Sequence, residues 1–174
     1  MRSRAELEAG LEAIRQSPAD GGELRLIVRR PVTNERETLA VAELDLDEGL
    51  VGDRWKGSRG STPENQITLM NARAAALVAE TEDRWALAGD QLYVDLDLSD
   101  ANLPPGTRLS VGEATLEVTA EPHTGCGKFR SRFGAEALQF VNSPVGKSLH
   151  LRGLYAKVIT AGTIRKGDLL RKLS

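Results

Sequence analysis

Cysteine is nearly absent from this chain: of 174 residues, one is a cysteine, Cys126. A single cysteine excludes an internal disulfide and a zinc site built from several thiolates. It also groups the chain with proteins of a reducing compartment, so a cytoplasmic location is expected. Long apolar runs are missing too. No stretch approaches the roughly 18 residues that a membrane span requires, and the start, Met1-Arg2-Ser3-Arg4-Ala5-Glu6-Leu7, lacks the apolar segment of a signal peptide. Neither secretion nor membrane attachment is expected. There is no excess charge of either sign, since 23 Lys and Arg stand against 25 Asp and Glu, a net charge of -2. That balance argues against nucleic acid or an anionic membrane as a bulk partner, and it makes any anion site a local one. No tract rich in Pro, Gly or Ser divides the chain, which leaves one domain with a sizeable core.

Periodicity supplies the elements. Ser3 and Glu6 form a capping-box pattern, and Leu7, Leu11 and Ile14 recur at helical spacing until Ser17-Pro18, so residues 1–22 read as an N-terminal helical extension. Residues 23–32 and 36–46 read as two strands, the second alternating as a barrel strand touched on both sides. A Gly-rich, charged loop follows from Glu48 to Asn65, and loops of that length inside a domain are usually functional. Gln66 to Met70 reads as a strand, with Asn71 as N-cap of an alanine-rich helix and a second short helix over 81–88. Further strands are expected at 91–98, 108–111, 115–120, 149–161 and 168–173, and a helix at 134–141. His150 falls in one of these strands as a structural or surface residue. Many short strands with few helices define the expected class as mainly β, a closed or nearly closed barrel with peripheral helices.

The chemistry concentrates around Pro122-His123-Thr124-Gly125-Cys126-Gly127-Lys128-Phe129-Arg130-Ser131-Arg132. Glycines on both sides of a thiol let a bulky ligand approach the backbone, whereas a buried packing cysteine has no need of them. If the stretch is extended, Cys126, Lys128, Arg130 and Arg132 share one face. If it is helical, Phe129 and Phe133 stack at i,i+4 and Arg130 stays on the side of Cys126. Under both readings the cations favour thiolate over thiol. His123 could serve as a general base for the thiol, line the pocket or bond a backbone carbonyl, and no third group that would orient it is visible in the sequence. Arg54 and Trp55 form a second candidate cluster, the cation for an anionic ligand and the indole for stacking on a planar heterocycle; Asn65 and Gln66 add amides able to read its edges.

Several motifs occur in a telling order: Gly49-x-x-Gly52-Asp53-Arg54, Leu103-Pro104-Pro105-Gly106, Val111-Gly112-x-Ala114-x-Leu116-Glu117-Val118-Thr119, the lone Cys126, Arg152-Gly153-x-Tyr155-Ala156, and Gly162-x-Ile164-x-x-Gly167-Asp168. In this order and spacing, residues 23–174 resemble the MOSC domain, named for the C-terminal part of molybdenum-cofactor sulfurases. The resemblance implies a strand-rich barrel of the MOSC/PK type. It also implies that Cys126 carries sulfur or binds the metal of the molybdenum cofactor (molybdopterin), with Arg54, Lys128, Arg130 and Arg132 supplying cations, Trp55 an aromatic shelf and His123 part of the pocket wall. The chain departs from many relatives at Trp55, where they have histidine, at Ala88-Gly89-Asp90-Gln91, where they have Phe-Gly-Glu-Asn, and at Gly125, where they have proline. The larger sulfurases also carry a pyridoxal-phosphate domain; 174 residues leave no room for one, and pyridoxal phosphate is not expected here.

Three functions follow as expectations. The first is a small molybdenum-dependent oxidoreductase acting on a small molecule, for example reducing N-hydroxylated compounds. The chain has neither an iron–sulfur cysteine set nor a nucleotide fingerprint, so its electrons would come from a separate donor. The second is a sulfur carrier or transferase in which a Cys126 persulfide is loaded by a donor protein. The third is a non-catalytic module that binds the cofactor.

Overall fold

The computed structural model describes residues 1–174. Two short helices, α1 (Arg4–Ala9) and α2 (Leu11–Arg15), lead into strands β1 (Gly22–Arg29), β2 (Glu37–Leu39), β3 (Val41–Asp45) and β4 (Gly49–Leu50). The long loop holds two 3-10 turns, Arg54–Gly57 and Pro63–Asn65. It ends at β5 (Ile67–Asn71), which is followed by α3 (Ala72–Ala79), a 3-10 helix over Glu82–Ala88, β6 (Leu92–Asp95), β7 (Arg108–Val111) and β8 (Ala114–Val118). Helices α4 (Gly127–Phe133), α5 (Ala135–Asn142) and α6 (Pro144–Ser148) precede β9 (Leu154–Thr160), β10 (Gly162–Arg165) and β11 (Leu169–Lys172).

Seven strands close a barrel in the order β1, β11, β7, β8, β9, β5, β6 and back to β1. Closure is made by β1, which pairs with β11 at Gly22↔Leu170 and with β6 at Leu24↔Val94. The β5–β6 pair is parallel, as its α3 crossover requires, and the other pairs around the ring are antiparallel. The fold is thus mainly a β-barrel with peripheral helices.

Two apolar cores explain the strand patterns. Leu92 and Val94 of β6 point into the barrel, while Tyr93 points outward into a helical layer, where its hydroxyl donates to the Trp85 carbonyl at 2.8 Å. Strands β1, β5 and β6 are covered on both faces and read as nearly continuous apolar runs. Strand β8, which buries Ala114, Leu116 and Val118 and turns Thr115 and Glu117 outward, alternates as expected.

Elsewhere the structure corrects the sequence reading. The expected strand 36–46 breaks at Ala40: β2 pairs with β1 in the barrel wall, whereas β3 joins β10 and β4 in a separate small sheet. That sheet sends Ala42, Leu44, Leu50 and Ile164 into the barrel core, which explains the alternation, and leaves Val41 exposed. The N-terminal helix is divided at Gly10, where a Cβ would lie 2.5 Å from Leu77 Cδ1 of α3. Leu7 and Ile14 bury in the helical layer, about 1.5–3 kcal/mol each. His150 is not in a strand. It follows α6 with φ +51°, its Nδ1 on the Leu98 carbonyl and its Nε2 3.0 Å from Asp100.

Candidate functional site

A cleft of about 250 Å³ opens where the end of β1, the 52–62 loop, the start of α4 and β9 converge. Its wall carries Arg30, Arg36, Arg54, Arg59, Arg132 and Arg152 together with Lys128, and no carboxylate. Two carboxylates stand behind this wall and hold arginines in place. Asp53, whose side chain is fully buried, accepts from the backbone N–H of Arg30 at 2.7 Å, from its Nε at 3.0 Å and from its Nη2 at 2.7 Å. Asp90, equally buried, accepts from Arg152. Within Gly52-Asp53-Arg54 the adjacent acid and base do not pair. The acid instead reaches back to Arg30 and leaves Arg54 for the cleft.

The carbonyls at the end of the 82–88 helix gather the other sides of these cations. Ala86 accepts from Arg36 Nε at 2.8 Å, Leu87 from Arg132 Nη1 at 2.8 Å, Ala88 from Arg152 Nη2 at 2.8 Å and Gly89 from Arg30 Nη1 at 2.9 Å. A helix ends with carbonyls that lack intrahelical partners and carry partial negative charge, and here four successive carbonyls each take one arginine. The guanidinium groups are therefore set before any ligand arrives. Arg54 Nε and Arg152 Nε remain buried without an acceptor. Orphaned donors cost stability unless something accepts from them, and anions do so best.

Cys126 is the N-cap of α4, exposed at the cleft and free. Partial burial pushes its thiol up, but the N–H groups of Phe129 and Lys128 and the charges of Arg152 and Arg132 outweigh it and hold the group below the usual thiol range. The helical alternative for this segment is the one adopted. Phe129 and Phe133 do pack together, their rings tilted by 60° with centroids 4.9 Å apart, and Phe129 also lies under the Arg152 guanidinium at 5.2 Å.

His123 stacks on Tyr155 with centroids 4.4 Å apart and lies with its Nδ1 3.6 Å from Asp90 Oδ1. Burial first, then the charges of Arg152, Arg30 and His150, hold this imidazole well below its ordinary value, so it is neutral. Gly153 packs behind His123 at φ +123°. A Cβ there would sit 2.5 Å from the Leu69 carbonyl oxygen and 3.1 Å from His123 Nδ1.

Of the residues singled out in the sequence, Cys126, Arg54, Trp55, Lys128, Arg132 and His123 all line this cleft. Arg130 does not, contrary to the expectation that a helix keeps it on the side of Cys126: Cys126 is the extended N-cap, outside the helical period, and Arg130 is exposed away from the cleft while its backbone N–H bonds the Cys126 carbonyl. Asn65 accepts from Trp55 Nε1 at 2.8 Å and so braces the indole. Gln66 is spent on the fold, donating to Leu46 and accepting from Val158. Sequence reasoning missed Arg30, Arg36, Arg59 and Arg152 as wall residues and Asp53 and Asp90 as their supports. Arg152 and Asp53 stood inside quoted motifs, which was the available signal.

Fold and cleft together define a class: a barrel domain with one accessible thiol in an arginine-walled pocket. Comparison with known proteins makes the class specific, since the model of the family described as MOSC domain matches residues 61–171. The chain belongs to the MOSC domain family. Its fold is similar to that of YuaD from Bacillus subtilis, at 16% identity and TM-score 0.64, over 86% of this chain and 93% of that one. It is also similar to YiiM from Escherichia coli, at 19% identity and TM-score 0.59, over 87% and 70%, and to a hypothetical protein at 20% identity and TM-score 0.63, over 89% and 69%. No curated protein matches the sequence. No helix is long and apolar enough to cross a membrane.

Proposed function

We propose that this protein binds the molybdenum cofactor in the arginine-walled cleft, with Cys126 as sulfur ligand to the metal, and works as a small oxidoreductase. The observation that carries the reading is a wall of seven cations without a carboxylate, closed around a single thiol held below its usual range. The residues fit such a ligand. A phosphorylated pterin needs acceptor-hungry donors, which the orphaned Nε atoms of Arg54 and Arg152 provide, and a soft metal favours thiolate. Trp55, braced by Asn65, offers an aromatic face for a heterocycle.

When bound, the cofactor would supply a metal that changes oxidation state by accepting and passing electrons. The chain's own residues do the rest. Arg30 and Arg152, preset by Asp53 and Asp90, orient the anionic group, and Lys128 and Arg132 flank the thiol. Reduction of an N-hydroxylated compound, R–NHOH + 2 e⁻ + 2 H⁺ → R–NH2 + H2O, requires an external electron donor, and a separate redox protein is the partner expected.

A sulfur-carrier reading is favoured by one feature, the exposure of Cys126. The two separate experimentally. Protein from a cofactor-producing host should contain molybdenum that Cys126→Ser loses. If instead the wild type lacks the metal and takes up a transferable sulfur at Cys126 by mass spectrometry, the carrier reading replaces the oxidoreductase. Metal retained in full by Cys126→Ser would make the cleft a binding site without the thiol ligand.

A further inference from the structure

A reductive reaction consumes protons, and the cleft wall offers few groups to deliver them. Its guanidinium and ammonium groups are donors without an acceptor lone pair and so poor proton relays, and burial pushes the Tyr155 phenol up. Besides Cys126, that leaves His123. The ring of His123 occupies a special position, because it lines the cleft on one side and, on the other, a second cavity of about 180 Å³ bounded by Glu121, His150 and Asp100. No other residue is common to the two linings.

The ring is also held. Tyr155 stacks on its face, and Nδ1 is sealed from solvent beside Asp90 Oδ1; neither of these two buried atoms has a hydrogen-bond partner. At 3.6 Å the pair is slightly too long for a hydrogen bond, the spacing of a contact that tightens when charge develops. Asp90 cannot swing away, since its other oxygen accepts from Arg152.

We infer that His123 is the proton-transfer residue of the cleft, and that Asp90 is the positioning residue that fixes its Nδ1–H tautomer and leaves Nε2 open. The geometry stands on its own, while the purpose rests on the reductive reading above. Nε2 takes a proton from solvent to give imidazolium, whose Nδ1–H bonds Asp90. It then releases the Nε2 proton to the bound molecule and returns to the neutral tautomer. In the open cleft, burial and the charges of Arg152, Arg30 and His150 disfavour the imidazolium. Asp90 faces Nδ1, its own carboxyl pushed up by burial against the pull of Arg152 and Arg30, burial likewise raises Tyr155, and Cys126, Lys128 and Glu121 border the two cavities around the ring. An anion seated on Arg30 and Arg152 would offset their charge and raise the proton affinity of His123, so proton uptake is coupled to ligand arrival.

The chain has two histidines, which makes the test direct. In ligand-free protein labelled at histidine with nitrogen-15, and assigned with His150→Gln, His123 is expected near neutral pH as a single Nδ1–H tautomer with unprotonated Nε2. Asp90→Asn is expected to shift population toward Nε2–H. A wild-type ring carrying its proton on Nε2 would overturn the inference, and so would a tautomer ratio unchanged in folded Asp90→Asn. If that variant does not fold, the wild-type spectrum alone decides. Because the measurement needs no cofactor, its failure is distinct from the absence of molybdenum in the purified protein.

Discussion

At the scale of single residues, the site depends on the setting of one thiol and on the acids that hold its neighbours. Arg132 faces the cleft with Cys126 and Arg130 faces solvent, so the two should differ sharply as variants. Alkylation of Cys126 by iodoacetamide is expected to have its pH midpoint below that of an ordinary thiol. Arg132→Ala should move it upward, since removing a cation disfavours thiolate, and Arg130→Ala should leave it in place. The Asp53–Arg30 pair carries a stability prediction. Removing one member of a buried pair strands the other charge, so Asp53→Ala should cost about 3–5 kcal/mol in denaturant unfolding. The sequence made Cys126, Arg54 and His123 legible because each sits in a local pattern of glycines, cations or motif residues. Asp53 and Asp90 were not, because their partners lie 23 and 62 residues away and only the barrel closure brings them together.

At the scale of elements, the end of the 82–88 helix organises the wall. Its carbonyls from Ala86 to Gly89 meet arginines from four separate parts of the chain, and they connect the helical layer to the cleft. Gly153 is the tightest point of the supporting structure. Gly153→Ala would combine a left-handed backbone with a 2.5 Å approach to the Leu69 carbonyl, and it should destabilise the fold by about 1–3 kcal/mol from the backbone strain alone. It should also push His123 from its place, visible as a lost Tyr155 ring-current shift at the His123 ring protons. Strand and helix positions were largely legible from period and caps, as with Asn71, whose side chain accepts from Arg73 and Ala74. The break at Ala40 was not, because alternation is the same whether a strand joins the barrel or the small sheet that covers it.

At the scale of the whole molecule, a barrel core and a helical layer share the double-faced strands β1, β5 and β6. Acid should destabilise this fold. His123 is held neutral in the fold but protonates freely once unfolded, with an ordinary value of about 6.5. Its unfolded form therefore binds more protons below that pH, and its contribution to stability is present above about pH 6.5 and is lost as pH falls. His123→Phe should flatten the acid side of the stability profile, measured by urea unfolding between about pH 7 and 5. A profile as steep as that of the wild type would contradict a buried neutral imidazole.

On the proposed reading, a thiolate and a cation wall together hold a molybdenum-bearing anion. Metal analysis of protein purified from a cofactor-producing host tests it most directly, with wild type, Cys126→Ser and Arg130→Ala measured side by side. Molybdenum approaching one atom per chain in the wild type and in Arg130→Ala, and lost from Cys126→Ser, is the expected result. Equal molybdenum in the wild type and Cys126→Ser, or none in any of the three, would contradict it.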